Sequence, residues 1–114
     1  MKTYKGIRVS PFKVQVTADG QPLDPKPSQQ IWNHSPDGFN WGYGGSGPSQ
    51  LALAILLDYF NDPILARKYY QDFKWEIVSK LPDTWEITSA QIEHAIYHVA
   101  LSPPHLTAST EIKK

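Results

Sequence analysis

The run Gly42-Tyr43-Gly44-Gly45-Ser46-Gly47-Pro48-Ser49-Gln50 passes without a break into Leu51-Ala52-Leu53-Ala54-Ile55-Leu56-Leu57. Seven consecutive apolar residues leave no polar face over two helical turns, so this helix must be enclosed by protein. Pro48 suits the first helical position, where its missing N–H costs nothing, with Gly47 or Ser46 as cap and Gln50 in the third position. The pattern ends near Phe60-Asn61. A buried helix fed by a glycine-rich loop is thus the core around which the other elements have to close.

Toward the C-terminus, Asp62-Pro63 repeats the cap-then-proline signal. Leu65, Tyr69, Phe73, Ile77 and Leu81 follow at i, i+4 spacing and predict an amphipathic helix that Pro82 stops. Thr84 to Ile87 reads as a short strand. Thr88 and Gln91 then form the capping box of a third helix, with Ile92, Ala95, Ile96 and Val99 turned inward. Toward the N-terminus, Tyr4 to Val9 and Phe12 to Thr17 alternate or are β-branched, and Ser10-Pro11 and Asp19-Gly20 mark turns, which together predict a β-hairpin. Gln21 to Gln30 carries Pro22, Pro25 and Pro27 without periodicity and is predicted to be an extended surface connection. The fold class is α+β: a small antiparallel sheet, made of the hairpin and the strand at 84–87, packed on three helices with Leu51 to Leu57 central. One domain spans 1–101, and the polar stretch 102–114, opened by Ser102-Pro103-Pro104, is predicted to be a loose tail.

With 114 residues, of which 40% are hydrophobic and 19% charged, the chain is long enough for one real core and far from disordered composition. Eleven basic residues balance eleven acidic ones, so no net field draws nucleic acid, an anionic membrane or an acidic substrate, and any such binding has to be local. The absence of cysteine removes disulfides, thiol nucleophiles and thiolate metal sites. Met1 to Lys5 lacks the apolar stretch of a signal peptide, and Leu51 to Leu57 is too short to span a bilayer, so the expectation is a cytoplasmic protein without a membrane partner.

The loop from Ile31 to Gly47 holds two Trp, one Phe, one Tyr and five Gly, a mixture that must be packed rather than solvated. Gly42 to Gly47 fits G-x-G-x-x-G, but a second helix follows where a Rossmann unit needs a strand ending in an acid. Pro48 stands where a P-loop needs its lysine, and again where a nucleophile elbow centred on Ser46 needs its last glycine. Two readings remain. In the plainer one the glycines let the loop pass tightly over the buried helix while Phe39, Trp41 and Tyr43 fill the core. In the other, backbone amides at the helix start take an anion and Trp41 or Tyr43 stacks on a base.

The segments Asn33-His34-Ser35-Pro36, Gly38-Phe39, Trp41 to Pro48 and Gln50 to Ala54, continued by Gln71-Asp72-Phe73-Lys74-Trp75 and Trp85, resemble an uncharacterised family of small bacterial, archaeal and phage proteins of unknown function. The resemblance covers about the middle half of the chain. It implies an accessory gene of a phage or mobile element and carries no catalytic residue with it.

Other constellations are weaker. His94 and His98 lie four apart on the third helix, but no third metal ligand is nominated, and no cofactor is called for. Arg67-Lys68-Tyr69-Tyr70 and Lys74-Trp75 mix basic and aromatic residues, yet Asp72 and Glu76 share the helix, which argues against a duplex nucleic-acid reader. His34, Ser35, Asp37 and Ser46 have the side chains for acid–base chemistry, although Asn33 to Gly38 reads more simply as a turn. The reading that follows is a binding protein, more readily than an enzyme, which presents Trp41, Gly42, Tyr43, Gly44, Gly45, Ser46, Gly47, Ser49, Gln50 and His34 to a small anionic ligand such as a nucleotide, or to a protein partner. The alternatives are a hydrolase-type enzyme using His34 with Ser46 or Asp37, and an oligomeric interaction protein whose loop is purely structural, with an apolar patch along Tyr70 and Trp75.

Overall fold

The computed structural model describes residues 2–101, so the stretch predicted as a tail lies outside the described residues. Alternation places the hairpin at the centre of the sheet. Strand β1 (Thr3–Ser10) pairs antiparallel with β2 (Lys13–Ala18), from Tyr4 opposite Ala18 to Arg8 opposite Val14, with an irregularity before Ser10. Asp19 and Gly20 both take positive φ, 50° and 82°, the geometry of a tight two-residue hairpin turn, and bring β3 (Gln21–Pro22) onto β2. Strand β4 (Thr84–Thr88) pairs with the other edge of β1, placing Trp85 opposite Gly6, and the sheet order is β3-β2-β1-β4. Tyr4, Val16, Trp85 and Ile87 point into the core while Lys5, Gln15 and Glu86 face out, the period-two division of a one-sided sheet.

Among the described residues four α-helices pack with the sheet. Of the three prolines of the predicted connection, Pro22 lies in β3, Pro25 caps helix α1 (Lys26–Ile31) and Pro27 lies in its first turn. A first turn has no intrahelical N–H bonds to lose, which is why proline there does not oppose a helix. Asp24 accepts the Lys26 amide and Ser28 Oγ donates to the Pro25 carbonyl. The stretch is therefore a short strand and a helix, not an extended connection.

Helix α2 (Ser46–Phe60) is the enclosed element: every residue from Gly47 to Leu56 is buried. It begins two residues earlier than predicted, with Gly45 as cap and Pro48 in the third position, and ends on Asn61 in the left-handed region. Helix α3 (Pro63–Glu76) is capped by Asp62, which accepts the amides of Ile64 and Leu65.

The inward face of α3 differs from the predicted stripe. Ala66, Tyr70, Phe73 and Lys74 are buried, whereas Leu65 is exposed. Steps of four residues advance about 40° beyond a full turn, so five such positions wind around the helix rather than along one face. The helix also stops at Glu76, and a 3₁₀ turn over Val78–Lys80 carries the chain to Pro82. Helix α4 (Ser89–Leu101) starts on the predicted box, in which Gln91 N donates to Thr88 Oγ1 and Thr88 N to Gln91 Oε1. It buries Ile92 and Ala95. Among the described residues no helix is long and apolar enough to cross a membrane.

Candidate functional site

The glycine-rich loop is clamped from beneath. Arg8 of β1 reaches under it, ion-paired to Asp83 (2.9 Å), donating to Asn40 Oδ1 (2.6 Å) and the Trp41 carbonyl (3.2 Å), and lying 4.9 Å from the centre of the Trp41 ring. Trp41 is buried and meets Trp85 edge to face, centroids 5.5 Å apart. Among the described residues neither indole Nε1 has an acceptor, so both anchor by shape and ring contact. Gly42 donates to the Val78 carbonyl. Its φ of +86° and the Leu81 carbonyl 3.1 Å from where a Cβ would stand make glycine necessary there.

Gln50, fully buried in the first turns of α2, is the second clamp. Its amide donates to Ser28 Oγ and the Trp32 carbonyl, and its Oε1 accepts the amides of His34 and Ser35. One side chain thus ties α1 and the Asn33–Gly38 turn to the central helix. The sequence reading of Gln50 as the third helical residue behind a Gly47 or Ser46 cap is corrected: it is the fifth, its buried neighbours offer it a complete set of partners, and the α2 start goes without a side-chain cap.

Above these clamps the loop is open. Among the described residues the amides of Tyr43, Gly44, Gly45 and Ser46 have no acceptor, and the first turn of α2 carries no acidic residue. Free amides at the positive end of a helix dipole are set up for an anion. The Tyr43 ring closes over Gly45, and the Trp75 ring closes on Gly44 so tightly that a Cβ at Gly44 would fall inside the indole.

Lys74 lies beside this loop. It is only 7% exposed, its ammonium is 4.2 Å from the centre of the Trp75 ring, and among the described residues it has neither a hydrogen bond nor an ion pair. Burial holds its pKa below the usual lysine value. One turn back, Tyr70 OH lies 2.7 Å from His34 Nε2, and the His34 ring stacks on Trp32 at 5.3 Å and 6°. Burial, with help from the Lys74 charge, pushes the His34 pKa down. Arg67, also without an ion pair among the described residues, sits 5.7 Å over Trp32.

The residues named from sequence therefore divide in two. Tyr43, Gly44, Gly45 and Ser46 form the open lip, with His34 at its flank. Trp41, Gly47, Ser49 and Gln50 are buried below it, where Trp41 and Gln50 shape the loop, and Gly42 is held by its backbone. His34 makes its side-chain hydrogen bond to Tyr70, and among the described residues no hydrogen bond joins it to Ser46 or Asp37. Tyr70 is buried, so the apolar patch expected along Tyr70 and Trp75 reduces to Trp75.

His94 and His98 line a groove of about 670 Å³ with Glu76 and Glu86. Among the described residues no three His, Cys, Asp or Glu are grouped to hold a metal. Sequence reasoning missed Trp32 and Tyr70 as neighbours of the loop, and discounted Arg67 and Lys74 because of Asp72 and Glu76. At 100° per residue Arg67, Tyr70 and Lys74 share one face of α3, while Asp72 and Glu76 lie on another.

No curated protein and no solved structure matches the chain. The model of a family of unknown function, DUF6166, matches residues 4–98, extending past the middle of the chain to take in the hairpin and most of α4. The clamps beneath the loop, which draw on Arg8 and Asp83 as well as Gln50, all fall inside that span, and the chain belongs to the DUF6166 family of unknown function.

Proposed function

We propose that this protein is a non-enzymatic binding protein that takes a small anionic ligand, a nucleotide being the favoured class, on the lip formed by Tyr43 to Ser46. Lys74 carries the reading. Its side chain is largely buried while its ammonium, over the Trp75 ring, lacks an anionic partner among the described residues, and an anion bound at the open amides beside it would supply one. The exposed rings of Tyr43 and Trp75 beside it favour a ligand with an aromatic base next to its charge. The family resemblance adds a setting, an accessory factor of a phage or mobile element acting in the cytoplasm.

The hydrolase alternative draws no support from the geometry, since His34 bonds Tyr70 and neither Ser46 nor Asp37. Native mass spectrometry against a pool of mono-, di- and cyclic nucleotides tests the proposal. A discrete adduct that disappears in Lys74→Met, with the fold intact by circular dichroism, is the expected result. An unchanged mass across the whole pool, or an adduct indifferent to Lys74→Met, overturns it and directs the search to protein partners.

A further inference from the structure

Two cationic side chains of α3 without an anionic partner among the described residues, Arg67 and Lys74, are spaced along one face, while Lys68 turns away over Tyr69. Arg67 and Lys74 are seven residues apart on the same face, about 10.5 Å along the axis. The ground between them is aromatic: Trp32 under Arg67, His34 stacked on Trp32 and bonded to Tyr70, then Trp75 under Lys74. Trp32 and Trp75 are 50% and 57% exposed. The acidic residues of the helix point elsewhere, Glu76 toward His98 of α4 at 3.8 Å. A single phosphate at Lys74 and the loop amides cannot also reach Arg67, and a mononucleotide leaves the Trp32 end of this ledge empty.

We propose that the ligand is a short single strand of nucleic acid, two nucleotides or more, laid along α3. One phosphate is held by Lys74 and the amides of Gly44 to Ser46, and the next by Arg67. A guanidinium layered on an indole offers a phosphate its N–H donors and a base its planar face, while a lysine over Trp75 supplies a point charge beside a second stacking ring. Four backbone phosphates of a duplex would need a broad basic field, which the balanced charge of the chain does not provide. A two-phosphate ledge suits a strand end or a dinucleotide. This inference rests on the anion site at Lys74 and goes beyond it in requiring Arg67 and Trp32.

Fluorescence anisotropy and calorimetry with thymidine monophosphate, its 5′-phosphorylated dinucleotide and a fluorescein-labelled oligothymidylate ladder form the test. Affinity is expected to rise at least tenfold from mono- to dinucleotide and to change little beyond three or four. Arg67→Ala removes that gain and leaves mononucleotide binding unaltered, whereas Lys74→Met weakens both. With two phosphate contacts, log K against log salt has a slope of about −1.4, falling to about −0.7 in Arg67→Ala. Equal affinity for mono- and dinucleotide, or a slope unmoved by Arg67→Ala, overturns the extended ledge while the mononucleotide site stands. No binding of any member of the series overturns both. A doubly phosphorylated peptide that binds as tightly as the dinucleotide, with no effect of Trp32→Leu, overturns nucleic acid as the ligand.

Discussion

The two ends of the central helix solve their electrostatics in opposite ways. At the C-terminal end every charged group of the last turn has a partner: Asp58 accepts from the buried Tyr4 hydroxyl at 2.7 Å and from Lys2 at 2.8 Å, and Asn61 closes the helix in the left-handed region. Tyr59 donates to Glu93, and burial together with that bond pushes its phenol up to about 12. Burial and Asp58 likewise drive the Tyr4 phenol far above its ordinary range. At the N-terminal end glycine caps the helix without a side chain, four successive amides from Tyr43 to Ser46 have no acceptor among the described residues, and Lys74 and Arg67 stand without an acid. One end is finished for stability. The other is left open although aspartate or serine at the cap would have closed it, which is the pattern expected when a ligand completes the structure.

If that contrast is right, substitutions at or below the two ends should act in different currencies. The largest effect on stability is expected beneath the open end, from Gln50→Leu. The leucine fills the space but strands the Ser35 amide and takes one bond each from the His34 amide, the Trp32 carbonyl and Ser28 Oγ, which keep their bonds to one another or to Pro25, and the expected loss is about 2 kcal/mol in urea unfolding. A loss below about 1 kcal/mol would mean that the α1 turn holds itself. Tyr4→Phe at the closed end removes one charge-assisted bond to Asp58 and should cost about 1.5 kcal/mol by the same measurement. Lys74→Met should have the opposite sign: replacing a largely buried side chain, whose charged tip has no anionic partner among the described residues, by an apolar one of similar length stabilises the protein by about 0.5 kcal/mol while removing the proposed binding. A destabilised Lys74→Met protein would show instead that Lys74 serves the fold, and the contrast between the two ends would fail.

Much of the closed end was legible in sequence, and little of the open one. The apolar run from Leu51 to Leu57, the Asp62-Pro63 cap and the Thr88/Gln91 box are local signals, each decided within a turn of helix, and they stand in the structure as read. Helix α1 is hidden in the sequence by its prolines, which oppose a helix interior but not the cap and first turn where Pro25 and Pro27 stand. The site was half legible. The glycines and Tyr43 advertise an open loop, yet what gives that loop chemistry is the approach of Trp32, Arg67, Tyr70 and Lys74 from separate elements. The side-chain periodicity of α3 cannot reveal this, because Lys74 lies on the face that a hydrophobic pattern assigns to the core. Along the helix Asp72 and Glu76 cancel Arg67 and Lys74, whereas around it they lie on separate faces.

The smallest effect is also the most specific, because it reads Lys74 through a neighbour. His34 is held below its ordinary pKa of about 6.5 by burial and by the Lys74 ammonium. Between its folded and unfolded values the unfolded chain binds the extra proton, so stability rises with pH across that interval. The native state is unpenalised above about 6.5 and loses stability as the pH falls toward the depressed folded value. The melting temperature of the protein should therefore fall from pH 7.5 to 5 more steeply than that of His34→Gln, a comparison that subtracts the other three histidines. Lys74→Met should fall between the two, since it removes the Coulombic cause and leaves the burial. An anion at the lip has the same sign of effect: it shields His34 from Lys74, raises its pKa and takes up protons, so nucleotide should bind more tightly at pH 5.5 than at pH 7.5. Parallel melting curves for the protein and His34→Gln would remove His34 from the account. Curves that separate equally in Lys74→Met would mean that burial alone depresses the histidine, and that the Lys74 charge does not reach the open end where the ligand is proposed to sit.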